Sequence, residues 1–203
     1  MEDRNFRKKQ EGGFALLLTV IVVAVLISIS LSILDVSIKQ VRLAGNAKDS
    51  EIAFQASSAG MECGRHIRRA LSDEMTTGQT INPSCFDVST YYSNVDNLRV
   101  PSTPQITGNG DVFRYDYAFT WGTGLDTRCT EVVTLVASSS PSSAVNLVVA
   151  ESLMYSIFSG WVGGDRICEP GSQCTVLSVR GYNKSCSNIG TYGTVQREVL
   201  LQY

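Results

Sequence analysis

The sequence predicts an α+β protein: one long N-terminal helix, apolar in its first half and amphipathic in its second, packed on an antiparallel sheet of four to five strands. Three observations carry this reading. From Phe14 to Leu34 there is no charge, and 15 of those 21 residues are Leu, Ile, Val or Phe. Residues 35–72 hold no Pro and repeat apolar or small residues at helical spacing. Beyond about residue 75 the period drops to two, most plainly in Phe113, Tyr115, Tyr117, Phe119 and Trp121.

The first run is a membrane segment by length. At about 1.5 Å per residue it spans roughly 31 Å, the hydrocarbon thickness of a bilayer. Its few hydroxyls can bond back to helix carbonyls and dilute insertion little. Arg4, Arg7, Lys8 and Lys9 precede it. Basic flanks stay in the cytoplasm, so the N-terminus is expected there and the remainder outside. A cleaved secretory signal is the rival, but the run exceeds a usual h-region and no Ala-x-Ala follows it. The whole chain has 17 Lys+Arg against 19 Asp+Glu, a balance that excludes a strongly basic nucleic-acid binder.

The helical signal continues past Leu34. Ile38, Val41, Gly45, Ile52, Ala56, Ala59, Cys63, Ile67 and Ala70 form a stripe at steps of three, four or seven. Asp35, Lys39, Arg42, Asp49, Glu62, Arg65 and Arg69 fill the complementary positions. Phe14 to Leu71 therefore reads as one helix, with two helices bent near Gly45-Asn46 as the alternative. The small residues Ala44, Gly45, Ala47, Ala53, Ala56, Ala59 and Gly60 permit close approach. They suit either a neighbouring helix or the chain's own sheet.

Residues 76–110 read as an irregular connector, with turns at Asn82-Pro83 and Gly108-Asn109-Gly110. The aromatic strand follows. Its face is either a stacking platform or, preferably, the surface that covers the outer half of the helix. Further strands are expected near Thr130–Ala137, Thr175–Tyr182 and Thr194–Tyr203, while Val145–Trp161 is open between strand and helix. The resulting division is a leader (1–13), a membrane half-helix (14–34), an outer half-helix (35–74) and a β domain (75–203). All six Cys lie in the part expected outside, and an even number there argues for disulfides. Fifteen pairings are open. The preferred set is Cys63–Cys85, Cys168–Cys174 and Cys129–Cys186, with a zinc site disfavoured by the spacing.

Before the apolar run stands Glu11-Gly12-Gly13-Phe14. This arrangement resembles the class III signal of type IV pilins and type II secretion pseudopilins. The resemblance implies cleavage between Gly13 and Phe14 by a prepilin peptidase, N-methylation of Phe14, and survival of the helix for packing in a filament core. Most members carry Glu at the fifth mature residue; here that position is Leu18. Arg42-Leu43-Ala44-Gly45-Asn46, then Asp49, then Ala53-Phe54-Gln55-Ala56 resemble the N-terminal module of PilX-type minor pilins, some of which also lack that Glu. The resemblance covers about residues 12–64. The partners it implies are the peptidase, other pilins or pseudopilins through helix packing at Leu18, Ala44, Gly45, Ala53, Ala56 and Gly60, the inner-membrane assembly platform and the membrane itself. A cytoplasmic N-terminus and a periplasmic, surface or filament location of the outer domain follow.

Chemistry is sparse. His66 is the only His and sits beside Arg65, Arg68 and Arg69 on the side read as solvated. Cys63-Gly64-Arg65-His66 lacks the second Cys of a haem motif, and no glycine stretch carries the Lys of a phosphate loop. Asp96, Asp111 and Asp126 are scattered, and Asn183-Lys184-Ser185 matches a sequon of frequent chance occurrence. No catalysis, cofactor, metal or nucleic-acid partner is expected. The expected role is a structural pilin-like subunit of a pilus or secretion pseudopilus. The alternatives are an anchored extracytoplasmic adhesin that never enters a filament and, behind it, an anchored enzyme.

Overall fold

The computed structural model of the chain describes residues 4–85, 105–107, 112–122, 124–146 and 167–203. Two compact units emerge, Met1–Lys48 and Asp49–Tyr203. Helix α1, Arg4–Ala70, supplies the described part of the first and the opening element of the second. It continues through Gly45-Asn46, so the reading as two separate helices falls away. It also begins inside the expected leader, at Arg4 rather than Phe14.

In the first unit every residue from Gly13 to Ala47 is exposed. The window is long and apolar enough to cross a membrane. Its hydroxyls are satisfied within the helix. Thr19 Oγ1 donates to Leu16 O at 2.8 Å, and Ser28, Ser30, Ser32 and Ser37 donate four residues back at 2.8–3.0 Å. An apolar solvent would thus meet few unpaired polar groups. Asp35 and Lys39 pair at 2.7 Å across one turn, an exposed contact worth a few tenths of a kcal/mol.

The second unit places residues 49–70 of α1 on a five-stranded antiparallel sheet. After the short helix α2 (Ser72–Thr76), the strands are β1 (Gln105–Thr107), β2 (Val112–Trp121), β3 (Arg128–Ser138), β6 (Gln173–Tyr182) and β7 (Gln196–Gln202), in the order β1-β2-β3-β6-β7. A separate two-stranded ladder joins β4 (Val145–Asn146) to β5 (Ile167–Cys168). Strand β1 lies inside the segment read as connector, where three residues pair with β2 from Gln105↔Arg114 to Thr107↔Val112. So short a run gives too little alternation to be seen in sequence. The rest of the ambiguous segment, residues 147–161, lies outside the described residues, as does the turn at Gly108–Gly110.

Packing corrects the phase of the helical stripe. The residues buried against the sheet are Ala53, Ala56, Ser57, Gly60, Cys63, Gly64, Ile67 and Arg68. Ile38, Val41, Gly45, Ala59 and Ala70, included in the expected stripe, are exposed. Each buried residue has another three or four positions along the helix, so the set keeps one face. Small residues dominate because the sheet comes very close. A Cβ at Gly60 would run into the side chains of Thr130 and Val179, and one at Gly64 would lie 3.0 Å from Leu177.

On the sheet, alternation sorts the strands as expected. Tyr115, Tyr117 and Phe119 are fully buried beneath the helix, with Phe113 and Trp121 packed at the rim of the same core. Cross-strand partners Val132, Val136, Leu177 and Val179 complete that core. The aromatic face is therefore a core surface, not a stacking platform. Its polar tips are satisfied: Tyr115 donates to Gln79 O at 2.9 Å, Tyr117 shares a 3.2 Å bond with Thr134, and Trp121 Nε1 donates to Thr130 Oγ1 at 2.8 Å. Burying rings with partnered tips keeps both the transfer free energy and the hydrogen bonds.

Burial also pushes the Tyr115 phenol from its ordinary value of 10.0 up to about 12. Tyr117, Tyr182 and Tyr203 are raised as well, burial being the largest cause in each. The folded state therefore holds these protons more tightly than the unfolded chain. Their contribution to stability is complete below the unfolded value and is lost as pH rises through the folded ones. We expect cooperative alkaline unfolding beyond the ordinary tyrosine range, with the part of the tyrosinate absorbance that Tyr115→Phe and Tyr117→Phe remove appearing together with loss of circular dichroism. That absorbance appearing first, on an intact fold, would contradict it.

Candidate assembly helix and its supporting domain

The sequence features that point to function lie along α1. Gly13 and Phe14 occupy ordinary helical positions; Phe14 is 70% exposed. A Cβ at Gly13 would meet nothing within 4 Å. Glycine here costs the helix about 0.5–1 kcal/mol relative to Ala and returns no packing, so the fold does not explain it. Leu18, Ala44 and Gly45 are likewise exposed, and Gly45 too has open space. Those three positions are available to another helix.

Ala53, Ala56 and Gly60 are not. They face the chain's own sheet, and Gly181 of β6 answers them from below. A Cβ at Gly181 would run into Ala53 O and Ser57 N. Thr130 Oγ1 donates to Ala56 O at 2.8 Å, tying β3 directly to the helix backbone. Of the two readings of the small-residue series, the sheet takes the outer members. The signal that separates them is Gly181, a glycine inside a strand that marks close backbone approach.

Arg68, placed by sequence on the solvated side, is only 6% exposed. Its guanidinium donates to Thr175 Oγ1 and Ser72 Oγ at 3.0 Å and to Gln173 Oε1 at 3.3 Å. Desolvation lowers its pKa, but three neutral acceptors hold the charge in place and tether the end of α1 to β6. Arg197 does the same at the other end, donating through Nε to Ser50 Oγ at 2.9 Å.

The far face of the sheet carries a belt of charge. Arg114 and Asp116 pair at 3.0 Å, Arg180 and Glu198 at 3.6 Å, and Tyr182 donates to Glu131 Oε2 at 2.7 Å. Burial raises the Asp116 carboxyl pKa, opposed by Arg114 and Arg180. Tyr182 is raised first by burial and then by the Glu131 charge. Arg114–Asp116 lies within β2, whereas Arg180–Glu198 links β6 to β7 and Tyr182–Glu131 links β6 to β3.

The disulfides are Cys63–Cys85, Cys129–Cys186 and Cys168–Cys174, which leaves no free cysteine. The first ties α1 to the segment after α2, the second ties the β6–β7 connection to β3, and the third closes the β5–β6 turn. Among the described residues no group of three or more His, Cys, Asp or Glu gathers as a metal site. His66 is exposed. The sequon asparagine, Asn183, is buried with both amide atoms engaged: Nδ2 donates to Gly193 O at 3.1 Å and Oδ1 accepts from Val195 N at 2.8 Å. It is a clamp closing the loop that carries the fully exposed Tyr192.

No family model, no curated protein and no solved structure matches this chain.

Proposed function

We propose that this chain is a minor pilin-like structural subunit. A prepilin peptidase cuts between Gly13 and Phe14, Phe14 is methylated, and the helix waits in the inner membrane with its N-terminus in the cytoplasm. An assembly platform then lifts it into, or uses it to prime, a type IV pilus or type II secretion pseudopilus. The observation that carries the reading is the helix from Gly13 to Ala47, exposed throughout, with its hydroxyls self-satisfied and its charge-free run starting directly after Gly12-Gly13. Such a surface calls first for lipid and then for other apolar helices. Gly13, which the fold does not require, supports a role for it in processing. Leu18 in place of the usual Glu favours a tip or initiator position over the shaft. The work is packing, not catalysis.

The test is the N-terminal mass of the chain after co-expression with a prepilin peptidase, beside a Gly13→Ala variant. The expected product begins at methylated Phe14 and disappears in the variant. A chain retaining residues 1–13 in both would sink the reading and leave the anchored binding module. That second reading has one observation of its own: the clamped Asn183–Val195 loop with Tyr192 in solvent.

A further inference from the structure

Strand β7 ends the sheet, so one of its edges has no strand beside it among the described residues. Its pairing with β6 runs without a bulge from Val176↔Gln202 to Tyr182↔Gln196. Thr175 and Tyr203 exchange both backbone hydrogen bonds, at 2.8 and 3.1 Å, and Asn183 N–H donates to Val195 O at 3.2 Å. Hydrogen-bonded pairs alternate along an antiparallel ladder. Val195, Arg197, Val199, Leu201 and Tyr203 therefore turn their backbone groups toward β6. Gln196, Glu198, Leu200 and Gln202 turn theirs to the open edge.

Proteins usually blunt such an edge with Lys, Pro, a bulge or a cover. Here charge stands only at Arg197 and Glu198, and Val199 to Tyr203 is an uncharged run of strand-forming residues. Leu200 is 39% exposed and Tyr203 53%. The edge is regular, and its Val199–Tyr203 half carries no charge.

We propose that this edge pairs with the same edge of a second copy, antiparallel, about a two-fold axis through the Leu200–Leu200 pair. Parity, charge and the matching of apolar side chains together select that register. Hydrogen-bonded pairs across the new ladder must join outward-facing residues to outward-facing residues. Centring on Leu200 sets Glu198 against the partner's Gln202, Val199 against the partner's Leu201, and Arg197 against the partner's Tyr203. No like charges meet, and the exposed leucines cover each other. Centring on Glu198 sets two carboxylates face to face. Centring on Val199 leaves Arg197 and Glu198 opposite Leu201 and Leu200. Centring on Leu201 or Gln202 carries most of the strand past its partner. The contact is isologous, so it closes as a dimer and does not grow into a fibre. It involves only the sheet, so it does not depend on the fate of the helix.

The test uses the full chain in detergent micelles. In a hydrogen-bonded antiparallel pair the facing Cα atoms lie about 5.5 Å apart, within reach of a disulfide. Mild oxidation of Leu200→Cys should give a cross-linked dimer on a non-reducing gel. Gln196→Cys, several residues from the axis, should give none. Sedimentation at about 100 µM should show a wild-type dimer, as a contact this small binds weakly. Leu200→Lys, which sets two ammonium groups together on an exposed site, should weaken that dimer at least tenfold with unchanged circular dichroism. A monomeric wild type at that concentration would overturn the proposal. So would a dimer indifferent to Leu200→Lys, or equal cross-linking from both cysteines, either of which points to association through the apolar helix.

Discussion

Replacing Cys129 and Cys186 together with Ala is expected to cost about 4 kcal/mol, the largest loss among the three disulfides. The bridge closes a sequence separation of 57 residues, against 22 for Cys63–Cys85 and 6 for Cys168–Cys174. In the chain-entropy account the cross-link restricts the unfolded chain more as the loop grows, giving about 4, 3 and 2 kcal/mol in that order. The native state adds to the first. Cys129 is fully buried, and Cys186 opens the turn that starts the clamped loop, so truncation leaves a void and frees that loop. Urea unfolding of the three double-Ala variants checks the ranking. A Cys168–Cys174 variant that loses as much as Cys129–Cys186 would show that native packing, not loop closure, sets the scale.

Gly181→Ala should lower stability by about 3 kcal/mol, the upper range for overpacking, although it adds only one methyl group. The new Cβ would meet the backbone of α1, with the Ala56 carbonyl carbon at 2.9 Å and Ala53 O and Ser57 N closer still. A side chain can rotate away from a clash; a helix backbone bonded on both sides cannot. The strain has one outlet, which is to lift the helix off β3 and β6. That would break the Thr130–Ala56 hydrogen bond and loosen the core around Phe119. Gly45→Ala is the control, since nothing lies within 4 Å of its added carbon. It should be neutral or stabilise by up to about 1 kcal/mol through helix propensity. Equal effects from the two substitutions would mean that α1 slides freely on the sheet.

Much of the fold was legible because its signals are local. Phe14–Leu34 announces itself by composition, and the strand from Phe113 to Trp121 by strict alternation. The expected strands at Thr130–Ala137, Thr175–Tyr182 and Thr194–Tyr203 lie within a few residues of β3, β6 and β7. The helical stripe was harder. Ala59 and Ala70 fit the same period as Ala56 and Ile67, and small residues carry too little hydrophobicity to reveal a shift of phase. Arg68 was misplaced for a related reason. An arginine among arginines reads as solvated, and only the acceptors Thr175 and Gln173, more than a hundred positions away, draw it inside.

The sequence by itself determined the period of each element, the membrane-length apolar run and the even number of cysteines. Each is a property of neighbouring residues or of composition. Only the tertiary structure decided which side of α1 meets the sheet, which of fifteen pairings the cysteines adopt, and that β7 is left at an edge. These depend on contacts between distant residues, such as Gly181 beneath Ser57 and Cys129 beside Cys186. Their free energies appear only when the chain closes on itself.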